Sequence, residues 1–140
     1  MKTAVIYYSR TGNSKKIAES VAAALQTKAT DIKLKPVINE VDVLFIVGGI
    51  YGGASSPDLK AFVEDIKKNH VNKVALITSC LSKKQRQNMI RDILIRNKIE
   101  VVPEEFICRG NLLFIGFGHP NKDDINAAIC FAQKVISENT

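Results

Sequence analysis

The run VDVLFIVGG, residues 41 to 49, sets the narrowest limit on what this chain can fold into. From Val43 to Gly49 no polar side chain interrupts it. A strand with one wet face alternates apolar and polar residues, so a run without alternation belongs to a strand covered on both faces, at the centre of a parallel sheet. KVALITS (73 to 79) has the same character. Parallel neighbours need long return connections, usually helices, and the intervening segments carry helical period. Ile17, Val21, Ala24 and Leu25 stripe a helix over about 13–27. Leu59, Phe62, Val63 and Ile66 mark a second, capped by Ser56, opened by Pro57 and ending near Asn69. Met89, Ile90, Ile93 and Leu94 mark a third, which reaches about Lys98 and for which Ser82-Lys83-Lys84-Gln85 fits a capping box. Asn121 and Asp124 cap a last helix through Ile136.

The remaining strands are AVIYY (4 to 8), an alternating, lysine-bearing edge strand from Thr30 to Lys35, and EFICRGNLLF (105 to 114), interrupted at Gly110. Strand and helix alternating in this way predict an α/β three-layer sandwich, a parallel sheet of five strands with helices on both faces. Only Pro36 to Glu40 separate the second strand from the third, so the helix expected there is very short or replaced by a loop. A chain of 140 residues forms one domain, 1–140, and buries about two-thirds of its unfolded surface.

Several classes are excluded. No apolar run approaches the roughly 18 residues of a membrane span, and the N-terminal MKTAVIYYSR leads into a turn with no cleavage site, which reads as the first strand of a cytoplasmic protein. Cys80, Cys108 and Cys130 have no CxxC spacing and read as small buried apolar residues. No carboxylate cluster at a strand end suggests a metal. His70 sits at a helix end and His119, before Pro120, reads as a turn residue. The net charge of +6 suggests acidic partners; nucleic acid is argued against by the lack of aromatic residues among the basic ones.

In an open α/β sheet, ligands bind outside the carboxyl ends of the strands. Between the first strand and first helix stands Ser9-Arg10-Thr11-Gly12-Asn13-Ser14. A helix cap needs one hydroxyl, whereas this loop offers Ser9, Thr11 and Ser14, with Gly12 allowing close approach, at the positive end of a helix. That combination suits a phosphate. After the third strand, the glycines of Gly48-Gly49-Ile50-Tyr51-Gly52-Gly53 let backbone approach a flat ligand beside one aromatic plate. After the fourth come Thr78-Ser79-Cys80-Leu81. Lys83 and Lys84, in a predicted first helical turn, oppose that helix's dipole.

SRTGNS resembles the phosphate loop of the flavodoxins, and GGIYGG resembles their second flavin loop. The order of elements over all 140 residues is similar to that of short-chain flavodoxins, and the segment FICRGNLLFIGFGHPNKDDINAAICFA resembles the C-terminal region of small flavodoxin-domain proteins from anaerobes. The resemblance implies a flavodoxin-like sheet in the order 2-1-3-4-5 and non-covalent FMN. On that likeness Ser9, Arg10, Thr11, Gly12, Asn13 and Ser14 hold the phosphate. Gly49, Ile50, Tyr51, Gly52 and Gly53, with Thr78, Ser79, Cys80 and Leu81, border the ring; Tyr51 stacks on it, and a peptide among 50–53 rotates beside its N5 to separate the two electron steps. The implied role is a carrier passing single electrons between redox partner proteins, with a flavin-dependent NAD(P)H:quinone-type reductase as the alternative. The chain departs from that family in its positive charge and in lacking Trp, and no Tyr follows Cys80 to complete a two-sided aromatic sandwich.

Overall fold

The computed structural model describes residues 1–51, 54–80, 85–109 and 118–140. In chain order it contains β1 (Thr3–Tyr7), α1 (Asn13–Ala24), β2 (Ala29–Asp31), a 3-10 turn (Ile32–Leu34), β3 (Val41–Tyr51), β4 (Ala54–Ser55), α2 (Pro57–Glu64), β5 (Val71–Cys80), α3 (Asn88–Arg96), β6 (Glu100–Val101), β7 (Phe106–Arg109) and α4 (Lys122–Glu138). The sheet runs β2-β1-β3-β5, and β6 and β7 pair in succession with the outer edge of β5. These pairings are all parallel; β4 alone folds back antiparallel on the end of β3. With β6 and β7 sharing the last place, this is the expected order 2-1-3-4-5.

The unbroken apolar run of β3 has a direct cause. Successive side chains leave a strand on opposite faces. Val43, Phe45 and Val47 join a core with α1 and α4, through Ile17, Val21, Ala128 and Ala132. Leu44 and Ile46 join another with α2 and α3, through Leu59, Val63, Ile90 and Leu94. Each large apolar side chain so buried contributes roughly 1.5–3 kcal/mol.

Several boundaries differ from the sequence reading. The edge strand stops at Asp31, whose carboxylate accepts from the Lys33 amide at 2.9 Å and starts the 3-10 turn. Ile32 stays buried, but Leu34 turns outward at 76% exposure, so the apparent alternation was a turn. That turn replaces the helix between β2 and β3. The first helix ends at Ala24, with Gln26 left-handed just beyond it, and the second at Glu64. Gln85 to Gln87 are not helical and α3 begins at Asn88, so the expected start at Ser82 is not the start of this helix; Ser82, Lys83 and Lys84 themselves lie outside the described residues. Met89 is accordingly turned outward at 42% exposure. Gly110 and the rest of the last predicted strand lie outside the described residues. Cys80 and Cys108 are buried, whereas Cys130 is exposed on the outer side of α4. Ser56 and Pro57 open α2, and Asn121 with Asp124 opens α4, as their sequence signals require.

Candidate functional site

The pairing register brings the candidate loops to one end of the sheet. Tyr7 lies opposite Val47, Gly48 opposite Thr78 and Gly49 opposite Ser79. The Tyr8 amide donates to the Val47 carbonyl at 3.1 Å, which ties the start of the first loop to β3. On the far side of β5, Cys80 lies opposite Arg109.

The first loop closes on itself. Ser9 Oγ accepts from the Gly12 amide at 2.9 Å, and Thr11 Oγ1 accepts from Asn13 Nδ2 at 2.8 Å. Gly12 is the N-cap of α1 with φ +90°, a conformation that side chains disfavour, and nothing stands within 4 Å of where its Cβ would be. The helix start has no side-chain cap and no acidic residue in its first turn, which carries Lys15 and Lys16 instead. Ser14 is 1% exposed, and its hydroxyl has no hydrogen-bond partner. A buried hydroxyl without a partner costs about 1–3 kcal/mol. Its place beneath an uncapped, positively polarised helix start fits a phosphate oxygen as the missing partner. Burial, with the Asp31 and Glu19 carboxylates adding to it, holds the Tyr7 phenol at the base of this loop above its ordinary pKa.

The strands that flank the second loop pair antiparallel. Ile50 pairs with Ser55 and Tyr51 with Ala54. Gly49 and Ile50 continue β3, Tyr51 ends it, and Gly52 and Gly53 lie outside the described residues. Gly48 is required for packing as much as for any ligand, since a Cβ there would meet Leu59 Cδ2 at 2.7 Å and Gln87 Oε1 at 2.8 Å. Ser55 was not picked out from the sequence, yet its buried hydroxyl also lacks a partner. The signal was available: one serine suffices to cap α2, and Ser56 does so by accepting from the Asp58 amide at 3.1 Å.

At the third loop the structure separates residues that the sequence grouped together. Thr78 is fully buried, its hydroxyl donating to the Glu105 carboxylate and accepting from Gln87 Nε2 at 3.1 Å. Glu105 also accepts from the Gln87 amide at 2.8 Å and from Arg91 at 3.3 Å. Thr78 is thus held within a polar cluster under the loops. Neither Gln87 nor Glu105 carries a motif, and only the fold brings them together. Ser79 and Cys80 are buried at the end of β5, and Leu81 lies outside the described residues.

A family model described as a flavodoxin domain matches residues 4–125. The chain belongs to the flavodoxin-domain family. Solved structures of similar fold include oxidised flavodoxin 1 from Bacillus cereus, at 16% identity and TM-score 0.77 with both chains covered in full. A flavodoxin from the domain Archaea aligns at 15% identity and TM-score 0.73, covering 97% of this chain and 99% of that one. The NAD(P)H:quinone oxidoreductase from Methanothermobacter marburgensis aligns at 11% identity and TM-score 0.65, over 96% and 94%. No curated protein sequence matches the chain. FMN is the cofactor of the flavodoxin family, and the open start of α1 with its orphaned Ser14 hydroxyl fits the phosphate of that cofactor. Among the described residues, no helix of this flavodoxin domain is long and apolar enough to cross a membrane.

Proposed function

We propose that this flavodoxin domain is an electron carrier that holds FMN by its phosphate at the start of α1 and passes single electrons between redox partners. Bound FMN supplies the redox chemistry; the chain supplies binding, orientation and charge. In this reading Ser9, Thr11 and Asn13 turn from their present contacts to the phosphate and Ser14 offers it an unpartnered hydroxyl, with Gly12 allowing its approach and Arg10 adding charge. Gly49 to Gly53 and Ser79 to Leu81 border the ring, and Tyr51 lies against it. Thr78 acts from behind, through its bonds to Glu105 and Gln87, which hold the end of β5 in place. The observation that carries the reading is the buried Ser14 hydroxyl, left without a partner in the first turn of an uncapped helix.

A fluorescence titration of the apoprotein with FMN, run beside riboflavin, tests it. Quenching that saturates at one FMN per chain, with riboflavin much weaker, is the expected result. Equal affinity for the two flavins would remove the phosphate site, and absence of quenching would remove the cofactor.

The similarity in fold to an NAD(P)H:quinone oxidoreductase raises a reductase as the second reading. Steady oxidation of NADH or NADPH by the FMN-loaded protein with a quinone acceptor would favour it; reduction only through a partner reductase favours the carrier.

A further inference from the structure

Charge is distributed unevenly along the strand axis. Toward the amino ends of the strands, basic and acidic side chains interleave, and Lys73 pairs with Glu100 at 3.1 Å. Lys134, in the last turns of α4, pairs likewise with Glu104 at 3.3 Å. The carboxyl ends differ. In the loops that follow the strands, and in the first helical turns those loops lead to, Arg10, Lys15, Lys33, Arg86 and Lys122 are exposed and Arg109 is half-buried. The carboxylates of the same end are largely engaged: Asp31 accepts from the Lys33 amide, Glu105 is buried against Arg91, and Asp124 holds His119 and caps α4. Asp58 and Asp123 are the exposed ones. Among the described residues, none of Lys15, Lys33, Arg86 and Lys122 stands in an ion pair, though Lys33 Nζ lies over the Tyr8 ring, 5.5 Å from its centre.

One phosphate at the start of α1 accounts for Arg10 and Lys15. It does not account for Lys33 after β2, Arg86 before α3 or Lys122 on α4, which belong to separate connections around the site. Cations contributed by separate connections to one end of the sheet add to a positive field there, and an acidic surface is drawn to such a field. Set among them, Asp58 and Asp123 repel a uniform phosphate backbone but can pair with cations on a mixed protein surface.

We infer that the rim around the strand carboxyl ends is a docking surface for an acidic electron-transfer protein, which would bring its redox centre toward the flavin that these loops would hold. This inference rests on the flavin reading above.

The test uses two probes with the same haem and opposite charge: native cytochrome c, which is basic, and cytochrome c with its lysines succinylated, which is acidic. FMN-loaded protein, reduced with stoichiometric dithionite, is mixed with each ferric form in a stopped-flow instrument. Each ferric haem takes one electron, so two haems oxidise one reduced flavin. At low ionic strength the succinylated form is reduced about tenfold faster or more, salt abolishes the advantage, and the triple variant Lys33→Glu, Arg86→Glu, Lys122→Glu reverses it. A faster native form, or rates indifferent to salt in the unmutated protein, overturns the proposal without reference to any variant.

Chemical-shift mapping of succinylated cytochrome c on the flavin-free protein reads docking independently of electron transfer. Shifts clustered around these loops support the surface even if FMN fails to bind, in which case the flavin reading alone falls; shifts elsewhere overturn the surface. Displacement of succinylated cytochrome c by a short DNA duplex at about 0.15 M salt would assign the rim to nucleic acid and equally overturn it.

Discussion

Two helix starts lie side by side on the same face of the sheet, linked by Lys16 Nζ donating to the Pro120 carbonyl at 3.1 Å. α4 is closed by its own sequence. Asn121 accepts from the Asp124 amide and Asp124 from the Asn121 amide, both at 2.9 Å, with Asp123 adding negative charge to the first turn. α1 is left open: a left-handed glycine at its cap, lysines where acids belong, and a buried hydroxyl with nothing to bond. The same face of one small sheet therefore contains a helix start built for stability and one whose satisfaction depends on something outside the chain. The contrast supports the proposal that α1 is the ligand end, because a helix start needs only one residue to close it and α4 shows that this chain can provide it.

The largest expected effect is on binding. Ser14→Ala removes a charge-assisted bond worth roughly 1.5–3 kcal/mol, so FMN affinity falls about tenfold or more while riboflavin affinity holds, whereas Asn121→Ala leaves both unchanged. An FMN affinity that survives Ser14→Ala would mean the open start is not the phosphate site. Stability without flavin should run the opposite way. Asn121→Ala loses about 1 kcal/mol with the α4 cap, a fall of a few degrees in Tm, while Ser14→Ala gains about as much by removing a stranded hydroxyl. Thermal melts of the two apoproteins read this directly, and a destabilised Ser14→Ala would show that the hydroxyl has a partner in the apoprotein. Smaller again is Lys15→Glu, which puts an acid where the dipole favours one and should stabilise the apoprotein by about 0.3–1 kcal/mol while weakening FMN binding. Urea midpoints compared with and without FMN would expose a failure of either sign.

The last effect lies at the base of the open loop. The raised pKa of Tyr7 means that the unfolded phenol ionises first, from about pH 10, while the folded one keeps its proton. The stability this group contributes is complete below pH 10 and is lost as pH rises through the folded value. Tyr7→Phe should remove that part of the alkaline decline, and unfolding curves of both proteins between pH 8 and pH 11 that stay parallel would contradict it.

Much of this was readable before any coordinates. The continuous run in β3 declared a strand covered on both faces, and Phe45 and Leu44 do enter opposite cores. Both helix starts with local caps, at Ser56 and Asn121, were legible because capping is settled within a few residues. The errors fall where local pattern and tertiary setting compete. Thr30 to Lys35 alternates like an edge strand, but Asp31 captures a backbone amide and turns the chain. Ser82 to Gln85 has the residues of a capping box, but Gln85 to Gln87 are not helical, Gln87 being held by Glu105 and Thr78, and α3 starts only at Asn88.

What the sequence determined by itself was whatever depends on neighbours in the chain: the strand and helix periods, the sheet they imply, and a loop with more hydroxyls than a cap requires. Tertiary structure decided which of those hydroxyls lacks a partner, and that Thr78 is engaged by Glu105, far along the chain. It also decided that basic residues from separate connections share one rim. Burial and charge proximity are properties of distance in space, and only the assembled sheet, which sets β1, β3 and β5 in register, fixes those distances.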